Sequence, residues 1–148
     1  MTLPRGILAR SLLAAGSLAL LAADGPNSTM TIQLDNVRNA RGVLRFCLTR
    51  DPAHFPDCNG DANAVTASVP ASVRDVRLPA IEPGSYALSV MHDENDNRRL
   101  DKVLGIPKEG FGFSRNPSIG FGPPAFADVR FSAEAGDSRQ TVRMRYLL

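Results

Sequence analysis

The feature that most constrains this chain is a two-residue rhythm of apolar and polar side chains, recurring in short bursts from residue 28 onward. In "NSTMTIQLDN" Met30, Ile32 and Leu34 fall on one side, Thr29, Thr31 and Gln33 on the other. "GVLRFCLT" turns Leu44, Phe46 and Leu48 inward and Arg45 and Cys47 outward. The alternation returns at Val65, Ala67 and Val69; at Val76 and Leu78; and at Tyr86, Leu88, Val90 and His92. It appears again in "FADVRF" (Val129, Phe131) and in "QTVRMRYLL" (Val142, Met144, Tyr146). Period 2 is the spacing of a strand with one buried face, and Gly, Pro, Asn and Asp punctuate the segments as turn residues. No stretch sustains a 3.6-residue period. About seven short strands with turns between them predict an all-β chain, an antiparallel β-sandwich.

The rhythm fails between Asp93 and Pro124, a connection longer than compact domains usually tolerate without a function for it. The segment is rich in Phe111, Phe113, Ile119 and Phe121, with Phe126 just beyond, and in glycine at 105, 110, 112, 120 and 122. Phe111, Phe113 and Phe121 could line a groove for a glycan, a peptide or a lipid, since aromatic rings supply contact area at low entropic cost. They could equally plug one end of the sandwich as a satellite core.

The first residues differ from the rest. "MTLPRGILAR" carries Arg5 and Arg10 and no acid, and an uncharged apolar run, Ser11 to Ala23, follows. A basic start before a short apolar stretch predicts a secretory signal over residues 1–23, with one domain over 24–148. The run is shorter than the roughly 20 residues a membrane-spanning helix needs. The whole chain carries 17 basic and 15 acidic residues; removing 1–23 takes two arginines and leaves a neutral chain. With no Trp and no basic run, it offers no footprint for nucleic acid. Export to a periplasmic or extracellular space is the expectation.

That compartment decides how the two cysteines read. Cys47 and Cys58 lie eleven apart, outside any C-x-x-C pattern, and His54 and His92 are the only histidines to help build a zinc site. In an exported chain such a pair predicts a disulfide. An outward Cys47 is well placed to reach the loop that holds Cys58.

The chemistry concentrates in "HDENDNRRLD", residues 92–101. A calcium loop places oxygen at positions 1, 3 and 5, a carbonyl at 7 and further oxygen at 9 and 12. Counted from Asp93, these become Asn95, Asn97, the carbonyl of Arg99, and Asp101. Position 6 wants glycine and holds Arg98, at a cost of roughly 1–2 kcal/mol for a left-handed residue. Position 12 is Leu104, so Glu109 would have to fold back to supply the closing carboxylate. The other reading needs no metal. Asp93 and Asn95 hydrogen-bond their own backbone as Asx-turns do, Arg98 or Arg99 pairs with the acids, and His92 is a core residue.

The stretch from His92 to Phe131 resembles an exported bacterial family known as domain of unknown function 2141. Its pattern looks like H-D-x-N-x-N-G-x-L-D, then G-I-P-x-E-G-x-G-F-S, then F-G-P-P-x-F. The chain supplies His92, Asp93, Asn95, Asn97, Leu100 and Asp101; Gly105, Ile106, Pro107, Glu109, Gly110, Gly112, Phe113 and Ser114; and Phe121, Gly122, Pro123, Pro124 and Phe126. "LPAIEPGSYALSV" is also similar, both to that family and to transthyretin- or prealbumin-like sandwiches. The resemblance implies a fold and export, and no activity.

Function is therefore read from the site. The expectation is a binding or interaction module that uses the 92–126 loop surface, ordered by calcium or by its own hydrogen bonds. Its partner would be a protein, a glycan or a small ligand. A hydrolase or lyase around His92, Asp93 and Asp101 is the alternative, without a G-x-S-x-G motif or a free thiol in its favour. A structural accessory of the cell envelope is a third.

Overall fold

The computed structural model describes residues 28–148; the predicted signal segment lies outside them. Two sheets face each other. One has the order β10-β1-β4, from Ser138–Arg143, Ser28–Asp35 and Asp75–Ile81; the other has the order β3-β2-β5-β8, from Val65–Pro70, Val43–Thr49, Gly84–Asp93 and Gly110–Phe113. A short strand β9 (Phe131–Ala133) pairs with the start of β5, and β6 (Lys102–Val103) with β7 (Ile106–Pro107) makes a separate hairpin. Eight strands thus build the sandwich, three in one sheet and five in the other.

The alternating positions explain why the sheets meet. Met30, Ile32, Leu34, Val76, Leu78, Ile81 and Val142 from one sheet pack against Leu44, Phe46, Leu48, Tyr86, Leu88 and Val90 from the other, all buried in one cluster. Removing such side chains from water is the main driving force, about 1.5–3 kcal/mol for each fully buried Leu, Ile or Phe. Pairing is antiparallel with one exception. β10 runs parallel to β1, Met30 opposite Ser138 through Asp35 opposite Arg143. β10 reaches that edge after crossing from β9 in the other sheet, so no hairpin imposes an antiparallel approach.

Two sequence expectations need correction. "FADVRF" is not one strand: Phe126–Val129 forms a single helical turn, α1, and only Phe131 onward is extended. The segment after Asp93 is not free of strands, for Gly110–Phe113 pairs with β5 at the edge of the five-stranded sheet. Its glycines face the interior, where a side chain on Gly110 would overlap the Tyr146 ring and one on Gly112 would overlap Val142. Its phenylalanines face outward. The backbone of Phe111 exchanges two hydrogen bonds with Arg145, at 3.0 and 2.7 Å, which stitches this edge to the chain leaving β10.

The outer face of that sheet carries a second, smaller core. Ala87, Phe111, Phe113 and Val129 are buried there under Phe55, Ile119 and Phe126. Phe55 belongs to the β2–β3 connection, which the Cys47–Cys58 disulfide pins to β2. Cα atoms 5.6 Å apart suit that bridge. The irregular segments therefore roof one sheet rather than dangle from it.

Candidate functional site

β5 delivers His92 and Asp93 to the end of the sandwich, both fully buried. The two face opposite ways because strand side chains alternate. His92 points inward: Nε2 meets the Arg41 carbonyl at 2.8 Å and Nδ1 meets the Tyr146 hydroxyl at 2.8 Å. A carbonyl only accepts, so Nε2 carries the proton. Both ring nitrogens are occupied, and neither faces an open site.

Asp93 anchors the loop. Its carboxylate accepts from the backbone N–H of Asn97 at 3.0 Å and of Arg98 at 2.7 Å, and from Arg45 Nε at 2.7 Å. Burial pushes its pKa up, but the Arg45 guanidinium and the two N–H groups together outweigh that and hold it below the ordinary value. Arg45 comes from β2, where it stands diagonally across from Asp93 on the outer face, and it also pairs with Asp96.

Glu94 fastens the loop to the β1–β2 connection. It accepts from Arg38 at 2.7 Å, Asn39 at 3.0 Å and Arg41 at 2.6 Å. Desolvation opposes its charge, yet these three donors bring its pKa down to about 2. Arg38 reaches further. It donates to the carbonyls of Lys108 and Leu148 and lies over the Tyr146 ring, 4.5 Å from its centre. Gly42 makes this junction feasible: at φ +68° it lies so close to the Asp93–Glu94 backbone that any side chain would overlap it.

Glu109 does fold back, and it acts as a clamp. Its two carboxylate oxygens accept the backbone N–H of Glu94 at 2.9 Å and of Asp101 at 3.0 Å. Asp101 in turn accepts from the side-chain amides of Asn95 (2.8 Å) and Asn97 (2.9 Å). The amide oxygens of those asparagines accept the N–H of Asn97 (3.2 Å) and Arg99 (2.9 Å). The side-chain oxygens that calcium would need are thus each engaged by an N–H group of the loop. Among the described residues, no group of three His, Cys, Asp or Glu side chains is placed to hold a metal ion. In this arrangement Asp93, Asn95, Asn97, Arg99, Asp101 and Glu109 gather into one hydrogen-bonded network.

The remaining predicted residues separate. Phe111 and Phe113 are buried in the outer core with ring centres 5.9 Å apart. Phe121 is fully exposed. So are parts of the β6–β7 hairpin: Leu104 is 98% exposed, Val103 49% and Ile106 44%. Sequence reading missed Arg38, Arg41, Arg45 and Glu94. The arginine-rich "NVRNARG" connection was a visible signal, but only strand register shows what it meets. At the other end of β5 an open cleft of about 580 Å³ is lined by Arg50, Asp51, Asp61, Glu82 and Tyr86. Arg50 is held there by Tyr86 and Glu82.

Fold and site together define a class: a disulfide-pinned β-sandwich whose long loop is locked by an internal network of acids and arginines. The chain belongs to the family described as an uncharacterized protein conserved in bacteria, DUF2141, whose model matches residues 32–141. Neither the curated proteins nor the solved structures gave a match.

Proposed function

We propose that the protein is an exported binding module that meets its partner through the 92–126 loop surface, and that hydrogen bonds rather than calcium order that loop. The observation that carries this reading is the contrast between the loop's base and its tip. At the base, Asp93, Glu94, Asp101 and Glu109 tie four backbone N–H groups and three arginines into place, and Lys108 N–H closes onto the Asp101 carbonyl at 2.8 Å. At the tip, Val103, Leu104 and Ile106 stand in solvent. Binding residues are characteristically carried on loops held by a rigid scaffold, and clustered exposed apolar side chains mark such surfaces. The Cys47–Cys58 bridge supports an oxidising compartment, and no described helix is long and apolar enough to cross a membrane.

The test is a photo-crosslinking residue placed at Leu104 and, as control, at exposed Ser72, in the full chain expressed in its own cells. A defined adduct at Leu104 and none at Ser72, whatever its chemistry, supports the reading. The same yield at both positions, or none at either, removes it.

A further inference from the structure

The β6–β7 hairpin is built in a way that folding alone does not explain. Leu104 and Gly105 are its two turn residues, with φ of 51° and 82°. A two-residue turn with both φ values positive favours Asn, Asp or Gly. A leucine there bears the strain of the left-handed region and also exposes its whole side chain. Val103 and Ile106, a cross-strand pair, extend the apolar surface beneath it.

The charges around this tip are sorted. Five acids lie between Asp93 and Glu109, and each is engaged by a hydrogen bond or ion pair within the domain. Arg98, Arg99, Lys102 and Lys108 are exposed and make no ion pair among the described residues. Seven bases, counting Arg38, Arg41 and Arg45, meet those five acids, so an acidic-looking sequence presents a cationic collar. Lys102 and Lys108 flank the apolar tip at its two ends.

We infer that this hairpin is a membrane-surface anchor: Leu104, with Val103 and Ile106, enters the headgroup boundary of an anionic phospholipid bilayer while Lys102, Lys108, Arg98 and Arg99 contact lipid phosphates. An apolar tip ringed by cations is complementary to that interface, where apolar burial and attraction to anionic lipid add. Long basic side chains also let their stems follow the tip inward while the charge stays at the headgroups. The inference rests on the binding reading above and names its partner. A hairpin this short gives reversible docking, not insertion.

The chain contains no Trp, so a Leu104→Trp variant is a single-site reporter. The full chain, purified after export, is mixed with vesicles of equal parts phosphatidylglycerol and phosphatidylcholine, or of phosphatidylcholine alone. Expected are co-sedimentation and a blue-shifted indole emission with the anionic vesicles, both lost in high salt. Each cation near the surface is worth about fivefold in partition, so Lys102→Glu with Lys108→Glu should weaken binding roughly twentyfold or more. Leu104→Asn should weaken it about tenfold while raising Tm, because it relieves the turn. Equal binding to both vesicle types overturns the inference, as does binding that Leu104→Asn leaves intact. No vesicle binding, with protein adducts at Leu104 in cells, also overturns it while leaving the binding-module reading standing; no adducts at all would sink both.

Discussion

Arg98 has φ 65° and Asp96 φ 57°, two left-handed non-glycine residues within one loop. The Asp93 carboxylate compensates by accepting the Arg98 N–H directly. Glycine would keep that backbone hydrogen bond and remove the strain, so Arg98→Gly should stabilise by about 1 kcal/mol, read as a higher urea midpoint at unchanged slope. Gly42 is the converse. Its missing side chain is what lets the β1–β2 connection touch the Asp93–Glu94 backbone, and Gly42→Ala should destabilise by about 2 kcal/mol or more, through overlap and a strained φ together. At this scale the sequence was readable wherever chemistry is local. The left-handed demand at Arg98 follows from spacing within one loop, whereas the return of Glu109 onto the Glu94 and Asp101 N–H groups is set by the fold. Arg45 and Arg38 were not readable, because what they meet depends on register between strands distant in sequence.

Elements were legible where alternation was apolar against polar, and illegible where it was glycine against phenylalanine. In Gly110–Phe113 the buried inner face consists of glycines, because Tyr146 and Val142 already fill that space. The usual signal is thus inverted: the large residues face the outer core. Gly112→Ala should therefore cost about 1–3 kcal/mol by overpacking against Val142 and Met144. The loss should fall on β8 first, visible as faster hydrogen exchange at Phe111 and Phe113 than at Leu88. The disulfide was legible from compartment and spacing, and its energetic role belongs to the element it closes. It holds the β2–β3 connection over the sheet, so that Phe55 can cover Phe113 at 5.8 Å between ring centres. Replacing both cysteines by alanine should cost about 2–3 kcal/mol in the chain-entropy picture, with the outer core loosening before the inner one.

The whole molecule depends on its acid network most visibly through pH. Glu94 ties the loop to the β1–β2 connection, and its pKa falls from 4.5 to about 2 on folding. Because the folded value is the lower one, the unfolded chain binds the proton more readily. The stabilisation is complete above pH 4.5 and is lost as pH falls from there through about 2. Asp93 is shifted in the same direction and adds to the same acid loss. The Glu94 side chain is only 9% exposed, but its partner Arg41 is 74% exposed. Solvent screening therefore reduces the gain to about 2 kcal/mol. A calcium-ordered loop would respond to metal; a hydrogen-bonded one responds to protons. Excess chelator should accordingly leave Tm at neutral pH unchanged, whereas acid should lower it steadily. Glu94→Gln separates this residue from the rest. The variant should be about 2 kcal/mol less stable than the parent at pH 7, and the two urea midpoints should converge as pH approaches 2. Parallel midpoint curves across that range would place the acid sensitivity elsewhere in the fold.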